Sequence, residues 1–192
     1  FKDRGRLEDA SSRYREALAG RRDALGDEHP DTLTTVHNLG VLRMDQGRLD
    51  EAEALFREAL AGRRNALGEA HPDTLVSISN MGHLLVERGE PEEAEALYRE
   101  ALEGRRRSLG PDHPHTLVSL NNLGQLFYRL DRPAEAENYL REALEGTRRT
   151  LGDNHPDTLT ALNNLGFALR GQGKLAEAET YLGRSLDLRR QI

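Results

Sequence analysis

The side chains of this sequence best suited to chemistry come in sets. Histidine precedes proline at His29, His71, His113 and His155, and imidazoles gathered together could hold zinc or work as a general acid and base. Their spacing, 42 residues each time, argues against both. If every histidine belongs to one unit of a stacked row, equivalent atoms lie about 10 Å apart, whereas zinc binds imidazole nitrogen at about 2.0 to 2.1 Å. A structural part, capping or packing the turn before each proline, is the expected role. His113 and His115 flank Pro114 without further evident ligands. Carboxylates recur in the same register, in Glu-Ala-Glu triplets that begin at Glu51, Glu93, Glu135 and Glu177. Two residues apart on a helix, they point to different sides and do not converge as a glycosidase or metal pair would. The positive end of a helix dipole explains them better.

The third set is basic: Arg21, Arg22, Arg63, Arg64, Arg105, Arg106, Arg107, Arg148 and Arg149. Near the ends of helices these cations complement the negative dipole end. Acidic residues interleave with them and no aromatic stacking platform accompanies them, so no nucleic-acid partner is expected. The net charge of -6 adds no pull toward nucleic acid or anionic lipid. The chain has no cysteine, which removes disulfides, thiolate metal sites and cysteine nucleophiles. No P-loop, dinucleotide fingerprint or nucleophile elbow is present. The expectation is a chain that is not an enzyme, with no catalytic residue, no metal and no cofactor. With no run of 18 apolar residues and no leader pattern, neither a membrane span nor a secretory signal is expected, and the reading is cytoplasmic.

The elements that carry these sets follow from the period. Gly40, Gly82, Gly124 and Gly166 keep the 42-residue register, as do Gly26, Gly68, Gly110 and Gly152. The repeats run 29–70, 71–112, 113–154 and 155–192, the last truncated, with 1–28 a partial unit in which Gly5 to Ala10 match Gly47 to Ala52. On this reading 1–192 is a single array, a fragment of a longer one. Within a repeat, Thr32 to Gln46 spaces Leu33, Val36, Leu39, Gly40 and Arg43 by three and four, the mark of a helix with one buried stripe. Leu49 to Leu67 carries a second stripe at Leu49, Ala52, Leu55, Phe56, Ala59 and Leu60. Pro30 suits a first helical position, Gly47 and its equivalents (Asp131 in the third repeat) a tight turn, and Gly68 a C-terminal cap. The repeat is a helical hairpin. Gly40 and Ala52 are small where its helices must approach closely, while Gly62, Gly104 and Gly146 call for close packing or a bend to offset about 1 kcal/mol of lost helix propensity. A lone hairpin leaves apolar surface uncovered, so the units stack into an all-α solenoid.

Asn-Leu-Gly at 38–40, Gly-Arg-Leu-Asp-Glu-Ala-Glu at 47–53 and Phe-Arg-Glu-Ala-Leu at 56–60 resemble the tetratricopeptide repeat. The 42-residue period and the Leu-Gly-x-x-His-Pro-Asp-Thr-Leu junction resemble its kinesin light chain type. The resemblance covers essentially the whole chain. It implies a right-handed superhelix of hairpins whose first helices line a concave groove, and a scaffold that binds extended peptides there.

Copies of one unit share what stacking needs and can differ where a ligand is read. At 100° per residue, positions 34, 37, 41, 44 and 45 cluster roughly opposite the buried stripe. They read Thr34, His37, Val41, Met44 and Asp45; then Val76, Ser79, His83, Val86 and Glu87; then Val118, Asn121, Gln125, Tyr128 and Arg129; then Thr160, Asn163, Phe167, Arg170 and Gly171. The resemblance makes this stripe the groove floor. An extended peptide is expected to set its acidic part near Arg129 and Arg170 and an apolar side chain against Tyr128 or Phe167; a solvated, variable surface is the other reading. Asn38, Asn80, Asn122 and Asn164 border the stripe in every full repeat. Each amide is expected to pair with a peptide backbone or to form a ladder between adjacent first helices, and the two are compatible, since a ladder holds the amides ready for use. The expected partner is a protein or peptide. The competing function is a structural or regulatory spacer, the sensor arm of a larger signalling protein, joined through its edges or ends. End-to-end self-association fits that alternative, with Leu182, Leu186 and Ile192 left partly exposed.

Overall fold

The computed structural model describes residues 2–190, and within them every regular element is a helix: α1 (Lys2–Leu25), α2 (Pro30–Asp45), α3 (Leu49–Leu67), α4 (Pro72–Arg88), α5 (Pro91–Leu109), α6 (Pro114–Arg129), α7 (Pro133–Leu151), α8 (Pro156–Gly171) and α9 (Leu175–Arg189). The fold is an all-α solenoid of stacked hairpins. It divides into two compact units between Leu97 and Tyr98, inside α5.

The local devices repeat as the period demands. Each His-Pro histidine is an N-cap: the backbone N–H of Asp31, Asp73, His115 and Asp157 donates at 3.2 Å to Nδ1 of His29, His71, His113 and His155. The proline that follows has no N–H to leave unpaired at the helix start. At the other end of α2, Gly47 turns left-handed (φ 72°), and the amides of Gly47 and Arg48 close the helix on the carbonyls of Met44 and Arg43. Asp131 takes that same turn at φ 55°, a conformation that costs a non-glycine residue about 1 kcal/mol. The turn expected at Gly5 does not form, because α1 runs unbroken from Lys2; an interior glycine costs a helix only about 1 kcal/mol, which a long following segment outweighs.

In the first unit, Leu18, Val36, Leu39, Leu42 and Ala59 form one buried cluster. Ala52, Phe56, Met81 and Leu84 form another, with Val41, Met44 and Leu97 against it. Full burial of a side chain such as Phe56 stabilises by about 2 to 3 kcal/mol. A Cβ on Gly40 would stand 2.8 Å from the Phe56 ring, and one on Gly62 would stand 2.5 Å from Leu33 Cδ2. The second unit repeats both contacts, with Gly124 under Leu140 and Gly146 under Leu117. Close packing therefore offsets the propensity lost at Gly62 and Gly146. At the far side of α9, Leu186 is 51% exposed and Leu182 half-buried; Ile192 lies outside the described residues.

Candidate functional site

In the first unit the valley between α2 and α4 is filled by polar side chains of the chain itself. His37 is only 5% exposed, although its place in the sequence put it opposite the buried stripe. The reason is that a first helix is covered on more than one side: α2 meets α1, α3 and α4. The His37 ring tilts against Phe56 at 5.3 Å. Asn80 Nδ2 lies 2.9 Å from His37 Nε2 and Ser77 Oγ 3.4 Å from Nδ1. With the amide donating, the ring accepts at Nε2 and carries its proton on Nδ1. Burial, reinforced by the nearby Arg63 cation and opposed by Asp73, pushes the His37 pKa down to about 4. The ring is neutral at pH 7.

Arg63 completes the filling. It is buried, and its Nη1 donates to Ser77 Oγ at 2.7 Å and to the Asp73 carbonyl at 3.1 Å, while Nη2 donates to Thr34 Oγ1 at 3.2 Å. The sequence suggested a cation that complements the negative dipole end of its own helix. A long, flexible stem instead carries the guanidinium across to the next first helix. Arg21 grips the Asp31 carbonyl and Thr35 Oγ1 in the same way. In the second unit Arg105 reaches the His115 carbonyl at 3.4 Å and Ser119 Oγ at 2.5 Å. This clasp could have been found from the sequence by pairing positions 21, 63 and 105 with 35, 77 and 119.

Of the other candidates in the first unit, Val41 and Met44 lean on the Phe56 cluster and Ser79 is buried. Asn38 is half-buried, and His83 is exposed with Nε2 3.9 Å from Glu87.

The second unit presents a different surface along α6 and α8. Asn164 Nδ2 donates to Asn121 Oδ1 at 2.9 Å. Asn80 with His37 and Asn164 with Asn121 therefore make rungs 43 residues apart rather than 42, joining each recurrent asparagine to the position before its equivalent. Gln125, Tyr128, Arg129, Asn164 and Phe167 surround an open recess of about 270 Å³ above Leu140. Tyr128 is 39% exposed, and the Arg170 guanidinium stacks over the Phe167 ring at 4.9 Å. Five residues singled out in the sequence thus meet at one place, with Arg170 at its edge. Asn122 and Asn163, half-buried, are not among its lining residues.

The remaining charged sets serve the scaffold. Arg64 pairs with Glu69 at 2.9 Å, Arg106 with Glu142 at 2.7 Å and Arg148 with Asp153 at 2.6 Å. Arg149 pairs with Asp112. Glu137 of the third triplet takes Lys174 at 2.6 Å, Gln172 at 2.7 Å and Arg141 at 2.8 Å. Although burial opposes ionisation there, these donors hold its pKa down at about 2. Among the described residues no three His, Cys, Asp or Glu side chains converge as metal ligands would, and no helix is long and apolar enough to cross a membrane.

Comparison with known proteins agrees with this architecture. Tetratricopeptide repeats match residues 35–107, 77–148 and 130–191, and a second tetratricopeptide repeat description matches 1–31. No curated protein matches the chain. The crystal structure of BtubC (BKLC) from P. vanneervenii superposes with a TM-score of 0.88 at 27% identity, covering 99% of this chain and 76% of that one. A Podosopora anserina putative kinesin light chain with nearly identical TPR-like repeats gives 0.83 at 23% identity over 100% of this chain and 90% of that one. The apo form of RapI gives 0.82 at 19% identity over 98% of this chain and 50% of that one. At these lower identities the likeness is one of fold alone. With the 42-residue hairpins, the histidine caps and the close glycine contacts already in place, these matches show that the chain belongs to the tetratricopeptide repeat family, and its repeats are similar to those of the kinesin light chain type.

Proposed function

We propose that the chain is a protein-interaction scaffold whose first-helix faces bind an extended peptide segment of a partner. The tetratricopeptide fold is typical of non-catalytic scaffolds. The observation that carries the finer reading is the recess of the second unit, where Tyr128 and Phe167 offer aromatic surface beside Arg129, Gln125 and Asn164. Its chemistry suits an apolar side chain followed by an acidic one. Aromatic rings bury the first with little loss of their own freedom, and Arg129 and Arg170 attract the second. Stacked helices fix the site beforehand, so ordering of the ligand is the main entropic cost of binding.

Peptides selected from a library on the wild-type protein should carry an acidic and apolar signature and lose at least tenfold in affinity to the double variant Arg129→Glu, Arg170→Glu. That factor corresponds to about 1.4 kcal/mol, the sum expected for two exposed charge contacts turned repulsive. Unchanged affinity overturns the assignment.

Assembly through an end is the second reading. It is favoured by the shallow recess of about 340 Å³ that Arg170, Leu175, Ala178, Leu182 and Leu186 form along α8 and α9. Light scattering over a concentration series tests it, with monomeric behaviour throughout counting against it.

A further inference from the structure

The arginine clasp is missing once. Positions 21, 63 and 105 are arginine and positions 35, 77 and 119 carry a hydroxyl, but the fourth pair reads Thr147 and Ala161. The cation and the hydroxyl are both gone, and of the earlier acceptors only the equivalent backbone carbonyl, that of Asp157, is left. Where the guanidinium would lie, a recess of about 50 Å³ opens between α6, α7 and α8. Its floor is Leu117, Ala143, Thr147 and Ala161, each no more than 5% exposed. Its rim includes Val118, 44% exposed, and Thr160.

We infer that this recess is an anchor socket for one branched aliphatic side chain, leucine, isoleucine or valine, of the bound peptide; the inference rests on the peptide-binding reading of the same face. Four features select that occupant. The floor is apolar, so burying methyl groups there is favourable. Of the polar side chains around it, Thr147 Oγ1 donates to the Leu144 carbonyl at 3.1 Å, Thr160 Oγ1 donates to the Pro156 carbonyl at 2.9 Å and Asn121 Oδ1 accepts from Asn164, while the Asp157 carboxylate stands at the rim, exposed to water. A partner's arginine would find Asp157 exposed at the rim but no hydroxyl on the floor, so the donors turned inward would face Leu117, Ala143 and Ala161, and a cation buried against methyl groups is costly. The small volume suits one short side chain rather than a large fused ring.

The socket and the Tyr128–Phe167 recess lie on the same α6–α8 face, on either side of the Asn121–Asn164 rung. About ten residues of α6 separate them, or roughly 15 Å. An extended peptide covers that distance in four or five residues. The anchor therefore stands four or five positions from the acidic and apolar element.

The test uses small probes first, so that it does not depend on knowing a partner. Isobutanol and methylguanidinium chloride are titrated separately into the protein while the methyl NMR signals of Leu117, Val118, Ala143 and Ala161 are followed. Isobutanol should shift them saturably, more strongly than methylguanidinium. Its affinity should fall at least tenfold in the double variant Thr147→Arg, Ala161→Ser, which restores the clasp. Ala161→Val, which only narrows the floor, should also weaken it and serves if the double variant fails to fold. No saturable shift, an equal shift in the filled variants, or preference for methylguanidinium overturns the inference.

Peptide selection on the wild type and on the filled variant then separates the two readings. Aliphatic anchors at the stated spacing, lost on the filled variant, support the socket. Peptides sensitive to the Arg129 and Arg170 reversals but indifferent to the filled variant overturn the socket and leave the peptide-binding reading standing. If the wild type selects no peptide at all, both fall.

Discussion

Between α2 and α4 the chain fills its own valley, while between α6 and α8 it leaves two openings. The backbone devices are the same in both places: a histidine cap, a proline start, and a glycine beneath a leucine. The difference lies in a few side chains. His37 and Arg63 close the first valley with buried, hydrogen-bonded polar groups. Asn121, Thr147 and Ala161 stand in the corresponding places of the second, where each side chain is shorter. Solenoid stacking therefore fixes where pockets can occur, and the lengths of a few side chains decide which of them are open.

The comparison breaks most severely at Arg63. Arg63→Ala removes three hydrogen bonds and a packed stem from a closed site and should destabilise the first unit by about 4 kcal/mol, through lost charged hydrogen bonds and the cavity left behind. Hydrogen exchange should show faster opening of α2 and α4 amides with α6 and α8 little changed. Equal acceleration in both would mean that the units do not respond separately.

Acid provides the next largest effect. His37 is held at a pKa of about 4, below its ordinary 6.5, so between those values the unfolded chain binds the proton that the folded chain refuses. Its stabilising contribution is complete above pH 6.5 and is lost as pH falls toward 4, amounting to about 3 kcal/mol at 1.4 kcal/mol per pH unit. His37→Asn, which copies the residue at 121, should remove that part of the pH dependence. Urea midpoints at pH 7 and pH 4.5 check this, and a variant as acid-sensitive as the wild type would count against it.

Closing the open valley is the smallest step. The Thr147→Arg, Ala161→Ser variant should raise stability by about 1 kcal/mol, in the range of cavity-filling changes, read as a higher urea midpoint with unchanged slope.

Much of the scaffold was legible. The 42-residue interval marked the hairpins, α3 spans the predicted Leu49 to Leu67, and the histidine caps follow from His-Pro at a helix start. These are local matters, decided within a few residues of chain. What escaped depends on distances between helices. A helical wheel assigns each position one direction, so His37 was placed facing out when a neighbouring first helix covers it. The asparagine rungs join positions 43 residues apart, an offset of one from the period that the period itself does not reveal. Arg63 and Arg105 read as partners of their own helix dipole because a sequence does not say where the end of a long side chain lies. The recess at Tyr128, Arg129 and Phe167 was legible because those residues share one side of two corresponding helices, so their direction alone brought them together.

Thr35 and Ser119, besides accepting from arginine, donate their own hydroxyls to the carbonyls of Asp31 and His115, four residues back, at 3.0 and 3.1 Å. A hydroxyl of this kind keeps a partner when the arginine disappears, whereas an arginine that loses the hydroxyl gives up a buried acceptor. Descent by single changes therefore favours one order of events, cation first and hydroxyl second. An ancestor with threonine at 147 and serine still at 161 would have had the opening before it had the oily lining.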